Sequence, residues 1–165
     1  MASGEFDRIL GENERYARTF DRSALTAAPV TGVAIVTCMD ARIDVEDALG
    51  LRVGDAHIIR NAGALATPDV VRSLVVSQQL LGTREVVLIA HTRCGLRGAD
   101  DVRIRGLVQT TTGCAAADMR FGGFEDLDAM VREQVDLLRD EPALLDTPIT
   151  GLVYEVETGR LRPAT

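Results

Sequence analysis

Three short runs in this chain are apolar at every position rather than at every second one. They are Val33-Ala34-Ile35-Val36, Ile58-Ile59 with their flanks, and Val86-Val87-Leu88-Ile89-Ala90. A strand wetted on one side would alternate, so this continuity predicts strands covered on both faces, as in a parallel sheet between helices. The stretch between the second and third runs reads as one covering helix. Thr67 can cap it, Pro68 suits its first turn, Gly82 suits its exit, and Val70, Val71, Leu74, Val75 and Leu81 give it an apolar side. Residues 124–139 place Phe124, Leu127, Val131, Val135 and Leu138 on one helical stripe, and Ile149 to Val156 reads as a last strand before Thr158-Gly159. Strand alternating with helix predicts an α/β fold with a mainly parallel central β-sheet flanked by helices.

At 165 residues the chain is expected to form a single domain, 1–165, large enough to build a core without disulfide staples. A net charge of -7 repels phosphate backbones and argues against nucleic acid as a partner. No apolar run reaches the ~20 residues of a membrane helix, and Met1 to Asp7 lacks the basic and apolar regions of a signal peptide. A cytoplasmic protein is the expectation. All 18 basic residues are Arg, which removes Schiff-base lysine chemistry and a phosphate-loop lysine. Near the N-terminus, residues 5–20 repeat Phe6, Ile9, Leu10, Asn13, Tyr16, Ala17 and Phe20 at helical spacing. Such a helix needs a surface to cover, in its own core or on a partner subunit.

The chemistry-bearing residues follow two of the strands. Cys38-Met39-Asp40-Ala41-Arg42 comes directly after the first run and His91-Thr92-Arg93-Cys94-Gly95 directly after the third. In a parallel sheet both segments emerge at the carboxyl edge, where open α/β sheets bind ligands. Two thiolates and an imidazole suit Zn²⁺, and three protein ligands leave a fourth position open, as catalytic zinc sites do. An ionised Asp40 only accepts hydrogen bonds, so it would orient a bound water through its O–H, with Arg42 holding the carboxylate in a two-pronged pair. Two thiolates also offset the metal charge, so the bound water should be less acidic than on a three-histidine site, and activity should favour alkaline pH. Each residue has a plainer reading as well. A cysteine ending an apolar strand can be a small core hydrophobe, two thiols can form a redox pair, and Asp40 and Arg42 can be a surface ion pair.

Taken together, Cys38-Met39-Asp40-Ala41-Arg42, Gly54-Asp55, Arg60-Asn61-Ala62-Gly63 and His91-Thr92-Arg93-Cys94-Gly95 resemble the β-carbonic anhydrase family in order and interval, from about Thr31 to Leu96. The resemblance implies one zinc per subunit on Cys38, His91 and Cys94, with Asp40 and Arg42 as the catalytic dyad. It also implies reversible hydration of carbon dioxide to bicarbonate by zinc-bound hydroxide, whose proton the dyad accepts. In some members the equivalent aspartate becomes a fourth zinc ligand in a closed state, and Asp40 is a candidate for that role. The family builds its site at a subunit interface, which implies a homo-oligomer, dimer or tetramer, with the helix over 5–20 packing on a partner subunit.

Departures from the family pattern are also visible. Ala27-Ala28-Pro29-Val30 lacks the substrate-binding glutamine of plant-type members, and the absence of Trp argues against the bicarbonate regulatory pocket of some bacterial members, although Arg60 is present. The compact form is similar to bacterial enzymes that hydrolyse carbonyl sulfide or carbon disulfide at the same ligands, which is the alternative activity. A non-catalytic zinc or redox-sensing protein is the second alternative. His57 reads as structural or exposed, Cys114 as an inert thiol, Arg93 and Arg97 as solvated charge, and Asp55 and Arg60 as residues of the sheet edge and dimer interface.

Overall fold

Each apolar run forms a strand of one sheet in the computed structural model, which describes residues 4–165. Residues 1–3 of the expected domain lie outside the described residues. In chain order the elements are α1 (Gly4–Ala17), β1 (Val33–Cys38), α2 (Val45–Leu49), β2 (Ala56–Asn61), α3 (Pro68–Gln79), β3 (Glu85–His91), α4 (Asp101–Thr112), α5 (Leu127–Arg139), β4 (Ile149–Glu155) and β5 (Arg160–Pro163), with a 3-10 turn at Ala62–Ala64. The strands lie in the order β2-β1-β3-β4-β5. All neighbours are parallel except β4 and β5, which form an antiparallel hairpin at one edge. The α/β, mainly parallel expectation therefore holds.

The strand order decides where a site can form. From β1 the chain crosses to β2 on one side and then to β3 on the other. The crevice at the carboxyl ends of β1 and β3 is thus a topological switch point, the place where open α/β sheets bind ligands. Cys38 is the last residue of β1 and His91 the last of β3.

Side chains of β1 alternate between two cores. Ala34 and Val36 join Val70, Leu74, Val131, Leu138 and Val153 beneath α3 and α5. Ile35 joins Ile43, Val45 and Ile89 on the opposite face, and Cys38, at the end of the strand where the alternation stops, packs with Cys94 in this second cluster. Helix α5 approaches β4 closely because Gly151 has no side chain, and a Cβ there would lie 2.6 Å from Val131 Cγ1. The second face is covered within the chain mainly by the five-residue α2 and its flanking loops, whereas α1 and α4 bury no residue at all.

Several boundaries differ from the sequence expectation. Helix α1 stops at Ala17, because Thr19 and Phe20 turn back to donate to the carbonyls of Tyr16 and Ala17. Helix α3 begins as expected, with Thr67 Oγ1 accepting from the Val70 amide, but ends at Gln79, leaving Leu81 outside. Helix α5 begins only at Leu127, where Asp126 caps it, and Phe124 instead bridges to Arg97. Strand β4 ends at Glu155, since residues 156–159 are needed to turn into β5.

Candidate metal centre

The β1 terminus and the turn after β3 bring Cys38, His91 and Cys94 together, with their ligand atoms all within 4.8 Å of one another. Bonds of about 2.3 Å to sulfur and about 2.0–2.1 Å to nitrogen at tetrahedral angles put ligand atoms roughly 3.5–3.8 Å apart, inside that limit. All three residues are buried or nearly so, with His91 only 1% exposed. Its Nδ1 lies 2.8 Å from the Thr92 carbonyl oxygen, which can only accept, so Nδ1 carries the proton and Nε2 presents a lone pair. Among the described residues, that Nε2 is the single buried side-chain nitrogen or oxygen without a hydrogen-bond partner. A buried acceptor left unmatched costs about 1–3 kcal/mol. A cation seated between it and the two sulfurs removes that cost, so the donor set fits zinc.

The electrostatics agree. The neighbouring Cys94 thiol lowers the Cys38 pKa against the opposing effect of burial, and the Gly63 amide adds a hydrogen bond to Cys38 Sγ at 3.4 Å. Cys94 is pushed up by Cys38 and then by burial. Without a cation the pair thus retains one proton, which a dication displaces as it makes both sulfurs thiolates. Burial pulls His91 down, but the Cys38 sulfur, the Thr92 carbonyl and the Asp40 charge together outweigh it and the net shift is upward.

Asp40 and Arg42 stand beside this triangle. Arg42 Nε donates to Asp40 Oδ1 at 2.9 Å and Arg42 Nη2 to Oδ2 at 2.8 Å. Asp40 Oδ2 is 3.7 Å from His91 Nε2. The Arg42 side chain, with its backbone amide, holds the Asp40 carboxyl far below the usual carboxylate range. The carboxylate is thus ionised, turned toward the ligand triangle, and engaged by arginine rather than included among the three converging ligand atoms.

A cavity of about 450 Å³ opens on the triangle between Met39, Ala41, Ala62 and Leu96. Most of its wall is apolar. A larger cleft of about 600 Å³ lies elsewhere, between Asp21–Leu25 and Leu51–Val53, and none of the three converging ligand residues lines it.

Other residues singled out in the sequence have definite places. Arg60 is not merely an edge charge, because its guanidinium donates to the carbonyls of Cys38, Asp40 and Ile43 and braces the loop bearing Asp40. His57 joins Ser77 Oγ at 2.7 Å to the Ala27 carbonyl at 2.8 Å, far from the cavity lining. Asp55 accepts from the Arg52 amide, and Arg97 donates to the Glu125 carbonyl. Arg93 is paired with Glu157, and Cys114 is exposed. Two contributors escaped the sequence reading, the Gly63 amide and the Thr92 carbonyl. Both act through backbone atoms, and residue type carries no signal for them.

The family profile described as carbonic anhydrase matches residues 33–161, which run from the start of β1 into β5 and include every residue of the triangle and dyad. The chain belongs to the β-carbonic anhydrase family. It is 39% identical to beta-carbonic anhydrase 1 of Mycobacterium tuberculosis over 160 residues, 96% of this chain and 97% of that one. The crystal structure of carbonic anhydrase from Streptococcus mutans superimposes with a TM-score of 0.94 at 42% identity, covering 100% of both chains. The chain is also 36% identical to a carbon disulfide hydrolase of Acidithiobacillus thiooxidans, over 78% of this chain and 75% of that one. Membership makes the chain an enzyme of the carbonic anhydrase type, with the zinc dependence of the family.

Proposed function

We propose that this enzyme hydrates carbon dioxide reversibly to bicarbonate, with Cys38, His91 and Cys94 holding zinc and Asp40 and Arg42 as its catalytic dyad. The observation that carries the reading is the ionised Asp40 carboxylate, clamped by Arg42 and 3.7 Å from the His91 nitrogen that faces the metal position. A purely structural zinc site has no use for an oriented acceptor. Zinc, when bound, supplies Lewis acidity that activates water as a nucleophile, less strongly than at a three-histidine site because two thiolates offset its charge. Asp40 accepts a hydrogen bond from the O–H of that nucleophile and turns its lone pair into the cavity, while Arg42 keeps the carboxylate ionised and directed. Met39, Ala62 and Leu96 offer an apolar wall to a small linear substrate without charge. The engagement of Asp40 by Arg42 supports an open resting site, and Asp40 as a fourth ligand would require breaking both hydrogen bonds.

The same apolar cavity supports a second activity, hydrolysis of carbonyl sulfide or carbon disulfide, and the carbon disulfide hydrolase relative favours keeping it. Stopped-flow hydration on protein of measured zinc content separates the two. Rapid carbon dioxide turnover that disappears with the zinc in Cys38→Ser is the expected result. Zinc-replete protein that releases sulfide but leaves carbon dioxide untouched would replace the first reading by the second.

The enzyme acts as a homo-oligomer in this reading, a dimer at least. Helix α1 buries nothing in its own chain, and Phe6, Ile9, Leu10 and Tyr16 on it are half exposed. A second copy of the chain is the surface they cover.

A further inference from the structure

The turn carrying Cys94 adopts a conformation that residues with a Cβ avoid. Arg93 has φ +53, in the left-handed region. Something must hold it there, and the contacts are specific. Thr92 is tied to the end of β4, its amide donating to the Tyr154 carbonyl at 2.9 Å and its Oγ1 accepting from the Val156 amide at 3.1 Å. Glu157, in the turn between β4 and β5, completes the clamp. One carboxylate oxygen accepts from Thr92 Oγ1 at 2.7 Å and the other pairs with Arg93 Nε.

Both carbonyls of this turn point to catalytic work. The Thr92 carbonyl accepts from His91 Nδ1 and sets its tautomer. The Arg93 carbonyl accepts from Arg42 Nη2 at 3.0 Å, the same nitrogen that holds Asp40 Oδ2. An ion pair with one partner 71% exposed adds little stability of its own. Its consequence lies in geometry, since Glu157 grips both residues whose carbonyls brace the site.

We propose that Glu157 is a positioning residue, which by clamping Thr92 and Arg93 fixes the carbonyl that aims the Arg42–Asp40 pair. This rests on the reading of that pair as the catalytic dyad. Outer partners of this kind typically change metal affinity or activity by about 10- to 100-fold when lost.

The test uses the zinc-loaded full chain with Glu157→Ala and Glu157→Gln. In the parent, the Arg42 Nε–H held by Asp40 should give a protected, slowly exchanging nitrogen-15 NMR signal. Glu157→Ala should bring it to solvent-like exchange, while zinc content stays at one per chain. Glu157→Gln, which keeps an acceptor for Thr92, should restore part of the protection. In a double-mutant cycle, Glu157→Ala should lower kcat/KM for carbon dioxide by about 10-fold or more in the parent and have little effect in Arg42→Ala. An unchanged Arg42 signal, equal losses in both backgrounds, or zinc loss with the Arg42 signal intact would overturn the proposal. If Glu157→Ala does not fold, Glu157→Gln carries the same NMR and kinetic comparisons against the parent. Failure of the carbon dioxide reading would appear in the parent itself, and the NMR comparison would still decide the role of Glu157.

Discussion

Gly63 shows how narrow the tolerances are at the metal centre. Its φ is +85, its amide donates to Cys38 Sγ, and a Cβ there would lie 2.8 Å from Leu96 Cδ1. The leucine methyl can swing away, but the backbone angle remains unfavourable for any other residue. Gly63→Ala should therefore cost about 1–3 kcal/mol of stability. It should also weaken zinc retention against a chelator, because the hydrogen bond to the sulfur is displaced. Thermal unfolding and zinc release rates measure the two effects, and an alanine variant equal to the parent in both would refute the argument. The side chains that converge at the candidate site were legible in the sequence, since Cys38, Asp40, Arg42, His91 and Cys94 carry their chemistry in their identity and spacing. Gly63, Thr92 and Arg93 contribute a backbone amide, a carbonyl and a strained torsion, which only the folded backbone shows.

At the level of elements, β1, β3, α3 and β4 were legible because each carries its burial pattern within a few residues. Helices α2 and α4 and strand β5 were not. Val45–Leu49 is too short to show a period, Asp101–Thr112 buries no residue, and Arg160–Pro163 is held by pairing with β4. Strand β5 is also fastened from α5. Arg162 donates to both oxygens of Asp128, at 2.6 and 2.9 Å, and the Thr165 amide donates to Oδ1 at 2.9 Å. The Arg162 hydrogen bonds, with that amide, hold the Asp128 carboxyl down to about 2 from an ordinary 3.8. Because the folded-state value is the lower one, this contact stabilises the fold above the ordinary value and is lost as pH falls through about 2. Asp128→Asn should thus unfold at a lower temperature than the parent at neutral pH, and the gap should narrow as pH falls from 4 toward 2. Melting curves across that interval check the sign, and a gap that widens on acidification would refute the assignment.

Two helices, α1 and α4, bury no residue inside their own chain, and α1 carries the larger exposed apolar face. Helix α1 has no buried residue, and 14 residues are at the margin of what water alone keeps helical. Phe6, Ile9, Leu10, Tyr16 and Phe20 each retain 49–55% of their exposure. Completing their burial is worth about 1 kcal/mol each, so two helices exchanged across a two-fold axis contribute on the order of 10 kcal/mol before the cost of association. That is comparable to the free energy separating a micromolar dimer from its monomers, about 8 kcal/mol. Deleting residues 1–20 should therefore yield a folded protein, because nothing of α1 enters either core, but one that is monomeric at micromolar concentration by light scattering. Its melting temperature should lose the dependence on protein concentration that an associating parent must show. If the truncated chain remains dimeric, the association does not depend on α1, and the apolar face of the helix serves another surface.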